Sequence, residues 1–134
     1  MAFITWREEY SVRVPEIDTQ HRRLLEIIND LHEAMRMGGK PDALKAVIDE
    51  LVAYTRYHFG YEEKMLERAG YPGLEEHKRK HRAMVVQVEG FVSEITSGKA
   101  SVSLKLMDFL KAWLTHHIRE TDQSYSSHVA GRAA

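Results

Sequence analysis

Two pairs of ionisable side chains, His58/Glu62 and His77/His81, stand one helical turn apart on apolar stripes, and this placement limits the possible folds more than any other feature of the chain. Residues four apart share one face of an α-helix, so each pair points where the surrounding apolar side chains point. An uncompensated carboxylate on such a face costs on the order of several kcal/mol. His21, His117 and Asp122 add to the set, giving five histidines and two carboxylates directed at one interior. Imidazole nitrogens and carboxylate oxygens converging in a core are what a first-row transition metal takes as ligands. The chain must therefore fold so that these groups meet, and they are enough for two ions.

The stripes have the period of helices. Ile17, His21, Leu24, Ile28, Leu31 and Met35 recur at steps of three and four, which predicts a helix over 18–37 with Asp18 as its cap and Ile17 just outside. Gly38-Gly39 stops it, and Pro41 suits the first turn of a second helix, 41–69, whose stripe holds Leu44, Ile48, Leu51, Thr55, His58, Glu62 and Met65. After Gly70-Tyr71-Pro72-Gly73 a third helix, 74–97, carries Leu74, His77, His81, Met84, Val88, Phe91 and Ile95. The fourth, 101–121, carries Leu106, Leu110, Trp113 and His117. Residues 1–17 read as an extended arm, with Trp6, Tyr10, Val12 and Val14 to pack down, and 126–134 as a polar tail.

Four long helices with short connections predict an all-α, up-down-up-down four-helix bundle forming a single domain over 1–134. In that topology the starts of the first and third helices lie level with the ends of the second and fourth. His21, His58, Glu62, His77, His81, His117 and Asp122 then all fall at one end of the bundle. Asp122 fits least well. Five residues after His117, it lies about 140° away around an ideal helix and faces inward only where the helix widens or ends.

Composition narrows the chemistry. Without cysteine there are no disulfides, iron–sulfur clusters or thiolate zinc sites, so histidine and carboxylate are the remaining strong ligands. A net charge of −1 gives no global field for nucleic acid or anionic membrane. The basic run Lys78-Arg79-Lys80 with Arg82 falls on the solvent face opposite His77 and His81. No apolar run approaches the roughly 20 residues that span a bilayer. A soluble, cytoplasmic monomer is expected. His32, His116 and His128 join no shared cluster.

Two six-coordinate ions offer twelve positions; five imidazoles, two bridging carboxylates and one bridging oxide or hydroxide fill eleven and leave one open. A single vacancy walled by Leu25, Phe59, Trp113 and Leu114 suits a small neutral diatomic ligand. Zinc prefers four-coordinate sites and has no redox chemistry, while magnesium and calcium prefer oxygen shells. Iron is the best fit, with manganese behind it.

At these residues the chain resembles the hemerythrin family, in particular its single-domain bacterial members, the bacteriohemerythrins. The motifs are Ile17-Asp18-x-Gln20-His21, His58-x-x-x-Glu62, His77-x-x-x-His81 and Trp113-Leu114-x-x-His117-Ile118-x-x-x-Asp122-x-x-Tyr125, with Trp6 in the arm. The resemblance runs from about Trp6 to Tyr125. It implies one iron on His77, His81 and His117 and another on His21 and His58. Glu62 and Asp122 would bridge them together with an oxide or hydroxide, so the resemblance favours ligation by Asp122. Dioxygen would bind reversibly at the open position of the His21/His58 iron, for storage, transport or delivery, with transient hand-over to an oxygen-using enzyme. The competing readings are a di-iron enzyme acting on peroxide, nitric oxide or oxygen, and an oxygen- or iron-sensing module. No general acid–base group is evident beside the ligands, and sensing would need a separate partner, so a non-enzymatic carrier is favoured.

Overall fold

A computed structural model of the protein describes residues 3–38, 41–96, 104–122 and 125; the side chains of 41, 96, 104–106 and 120–122 lie outside the described set, as does the expected tail 126–134. Four helices follow one another as α1 (Pro15–Arg36), α2 (Pro41–Arg68), α3 (Leu74–Thr96) and α4 (Leu104–His116), the last continuing as a π-helical stretch, His117–Asp122. They form an up-down-up-down bundle, and no strand occurs among the described residues. No described helix is long and apolar enough to cross a membrane.

The start of α1 differs from the sequence expectation. The helix begins at Pro15, after an extended Val14, so Ile17 lies inside the first turn and is fully buried. Proline pre-sets the helical φ, and the N–H it lacks would have had no helical partner there. Asp18 is consequently not the cap. It reaches back to the arm instead, accepting from the Ser11 hydroxyl at 2.6 Å and from the Val12 N–H at 2.9 Å.

The α2–α3 corner is built by its own sequence. Gly70 adopts φ +65, the Gly70 N–H donates to the Glu67 carbonyl at 3.1 Å and the Tyr71 N–H to the Leu66 carbonyl at 3.0 Å. This is the paired hydrogen-bond pattern of a helix ended by a left-handed glycine, and Tyr71 packs in the same apolar cluster as Leu66. The turn sets the end of α2, carrying Glu62, level with the start of α3, carrying His77.

The arm lies along the bundle. Ile4 exchanges two 2.8 Å hydrogen bonds with the Asn29 amide, the Arg22 guanidinium sits 4.7 Å over the Trp6 ring, and residues 8–10 make a short 3-10 turn. Val12 and Val14 pack with Ile17, Leu66 and Tyr125 in a small core at one end. The main core runs through the middle, from Leu24, Ile28 and Leu31 across to Met107, Leu110 and Leu114.

Candidate metal centre

α1, α2, α3 and the π-helical continuation of α4 each contribute at least one polar side chain to the same buried region. His21, His58, Glu62 and His117 are wholly buried, and His77 and His81 nearly so. One donor atom from each residue lies within 4.8 Å of the others in two overlapping groups: His21, His58, Glu62 and His117, and Glu62, His77 and His81. Glu62 belongs to both. Its Oε1 lies against His77 Nε2 and, at 2.9 Å, His81 Nε2. Its Oε2 accepts from the Tyr125 hydroxyl at 2.9 Å and lies 3.5 Å from His58 Nε2 and 4.0 Å from His21 Nε2. The carboxylate thus turns one oxygen to each group.

His117 stands between them. Its ring centroid is 5.3 Å from that of His81 and 5.5 Å from that of His58, and its Nε2 is 3.3 Å from His58 Nε2. The backbone from His117 to Asp122 is π-helical, which is the local widening that a spacing of five requires to bring both residues to one face. The Asp122 side chain lies outside the described residues.

Electrostatics prepare these groups to donate lone pairs. Burial, aided by the neighbouring His117, pushes the His21 imidazole down to about 3 from its ordinary 6.5. Burial likewise takes His117 down to about 4 and holds His58 well below 6.5. For Glu62, burial works to raise the pKa. The attraction of His58 and the hydrogen-bonding contacts with His77 and His81 outweigh it and hold the carboxyl well below the usual carboxylate range. Around this buried anion, burial holds His21, His58 and His117 towards neutrality and Tyr125 offers only a hydroxyl, so these partners supply no fixed positive charge. A bound cation would supply it, so the donor set fits a metal.

Two site rings are held from outside the cluster. His58 Nδ1 is 2.7 Å from Gln20 Oε1, and His81 Nδ1 is 2.8 Å from Glu63 Oε2. Sequence reasoning quoted Gln20 and Tyr125 within the motifs without assigning them a role, and passed over Glu63 altogether. Of the expected pocket residues, Leu25, Phe59, Trp113 and Leu114 are all buried in the main core. Phe59 stacks face to face on His81, centroids 3.8 Å apart at 3°, and lies 5.0 Å from His117, so it walls the His81 side. Of the remaining histidines, His32 stacks on Phe3 and His116 is exposed, while His128 lies outside the described residues. In the basic run, Arg79 pairs with Glu76 and Lys78 with Glu75 on their own helix.

The fold and the cluster together define a four-helix bundle with a candidate metal cage at one end. Residues 12–129 match the family described as the Hemerythrin HHE cation binding domain, and the chain belongs to the hemerythrin family. It is 38% identical over 129 residues to Bacteriohemerythrin of Stenotrophomonas maltophilia, covering 96% of this chain and 83% of the relative. Against Myohemerythrin of Theromyzon tessulatum it is 30% identical over 120 residues, covering 90% and 88%. Wild-type hemerythrin, as solved in a crystal, superposes with a TM-score of 0.89 at 27% identity, covering 96% of this chain and 99% of that one.

Proposed function

We propose that this protein binds dioxygen reversibly at a pair of irons held by His21, His58, Glu62, His77, His81, His117 and Asp122, as a store or carrier and not as an enzyme. The observation that carries the reading is the Glu62 carboxylate shared between two groups of buried histidines, one oxygen facing each. His77 and His81 would hold one ion and His21 and His58 the other. His117 sits within reach of both, and family membership favours the first. Glu62 and Asp122 would bridge. Iron, when bound, supplies the redox chemistry, lending electrons to dioxygen on uptake and recovering them on release.

The chain's own residues provide the rest. Gln20 fixes the His58 ring through Nδ1, leaving Nε2 directed into the cage. The Tyr125 hydroxyl donates to Glu62 Oε2, a hydrogen bond that favours the ionised over the protonated carboxyl. Leu25, Trp113, Leu114 and Ile118 exclude water from the neighbouring space, which favours binding of a neutral diatomic molecule over loss of a charged product.

The test is to load the protein with ferrous iron without air, admit oxygen, purge, and repeat while following near-ultraviolet and visible absorption. Repeated return to the colourless reduced state is expected. Irreversible oxidation in the first cycle, or sustained turnover with an added reductant, would replace the carrier reading with an enzymatic one.

A further inference from the structure

The cage rings differ in what holds them from behind. His58 meets the neutral amide of Gln20, whereas His81 meets the carboxylate of Glu63. Glu63 is only one residue from Glu62, yet on a helix that step turns the side chain about 100° away from the core. It lies on the wall of a cleft of about 420 Å³ between α2 and α3 that Phe59, Gly60 and His81 also line. With its side chain 27% exposed, Glu63 keeps water on one side while its Oε2 reaches the buried ring.

We infer that Glu63 is a positioning residue that selects the His81 tautomer and ring orientation presenting Nε2 to the cage. Two contacts divide the task. Stacking of Phe59 on His81, 3° from parallel, fixes the plane of the imidazole. Stacking alone cannot distinguish the ring from its flipped form, in which carbon and nitrogen exchange places. The Glu63 contact can, because only Nδ1–H, and not Cδ2–H, donates a strong hydrogen bond to a carboxylate. With Nδ1 so engaged, Nε2 is the atom left facing Glu62 Oε1 at 2.9 Å. A hydrogen-bonded ring nitrogen opposite the ligating one orients a metal-bound histidine and raises its basicity, and losing such a partner typically weakens metal binding tenfold or more. The role in metal binding rests on the cage reading above, but the tautomer does not.

The experiment therefore reads both. In the full-length, iron-free protein, the ¹⁵N shifts of His81 report whether Nδ1 is protonated. The native chain and Glu63→Gln, whose amide oxygen still accepts, are expected to show a protonated Nδ1. Glu63→Ala is expected to lose it in favour of the Nε2–H form. In the iron-loaded protein, release to a ferrous chelator is expected to be about tenfold faster for Glu63→Ala and within about threefold of native for Glu63→Gln. A contact that merely stabilised the fold would lower the melting midpoint of Glu63→Ala while leaving Nδ1 protonated, and that result overturns the inference. If the native chain takes up no iron, the cage reading fails, and the ¹⁵N result alone still decides the role of Glu63.

Discussion

Glu62 lies against His77 and His81 and receives a hydrogen bond from Tyr125 in a fully buried setting, while burial drives His21, His58 and His117 towards neutrality. This combination sets the sign of the acid response of the iron-free chain. Unfolded, each histidine takes up a proton as pH falls through about 6.5; folded, these three resist protonation until far lower. The unfolded state then binds more protons, so stability is full above about pH 6.5. Below it, stability falls by about 1.4 kcal/mol per pH unit for each of the three. Glu62 acts in the same direction but lower down, since the stability from its depressed pKa is lost only below its unfolded value near 4.5. Melting midpoints of the iron-free protein should drop steeply between pH 6.5 and 4.5, and again below. A flat profile from pH 7 to 5 would mean the histidines are already charged in the fold. These ionisable residues were legible in the sequence because each sits on its own helix's stripe. Gln20 and Glu63 were not, because the ring that each one orients lies on another helix, and spacing along one helix does not report who faces whom across the gap.

At the level of the helices, periodicity located the interior better than it located the ends. Along α2 the stripe positions Ile48, Leu51, Thr55, His58 and Glu62 are all buried. The beginning of α1 was misplaced because two start signals compete there. Pro15 takes the first position, and Asp18 is released to hold the arm. The π-helical His117–Asp122 has no signature in apolar period, and only the misfit of a five-residue spacing hinted at it. Two glycines inside helices make a test of what the backbone would prefer. A Cβ built on Gly60 in α2 or on Gly90 in α3 meets nothing within 4 Å, and both positions are exposed. Glycine in a helix interior is worse than alanine by about 0.5–1 kcal/mol, chiefly through chain entropy. Gly60→Ala and Gly90→Ala should each raise the melting midpoint by about 2–5 °C. A fall at Gly60 but not at Gly90 would show that the cleft beside Glu63 needs the bare backbone.

Across the whole molecule, the arm and the cage are mechanically one unit. Val12 and Val14 close the end of the bundle against Ile17, Leu66 and Tyr125, and the Tyr125 hydroxyl reaches Glu62. What holds this part of the arm is Asp18, through the Ser11 hydroxyl and the Val12 N–H. Nearer the start of the arm, the Asn29 amide holds Ile4. Asn29 follows His21 by eight residues, about 12 Å further along α1 and away from the cage. Asp18→Ala removes an ionised acceptor from two donors and should cost about 2–3 kcal/mol; Asn29→Ala removes two neutral hydrogen bonds and should cost about 1–2 kcal/mol. The stability losses are thus comparable, but their consequences for the site should differ. Loosening Val12 and Val14 lets water reach Tyr125 and Glu62, so Asp18→Ala should release iron to a chelator several-fold faster than native. Asn29→Ala, which frees the far end of the arm, should release it at the native rate. Equal release from the two variants would mean that iron retention follows global stability alone, and that the arm is packing and not part of the enclosure.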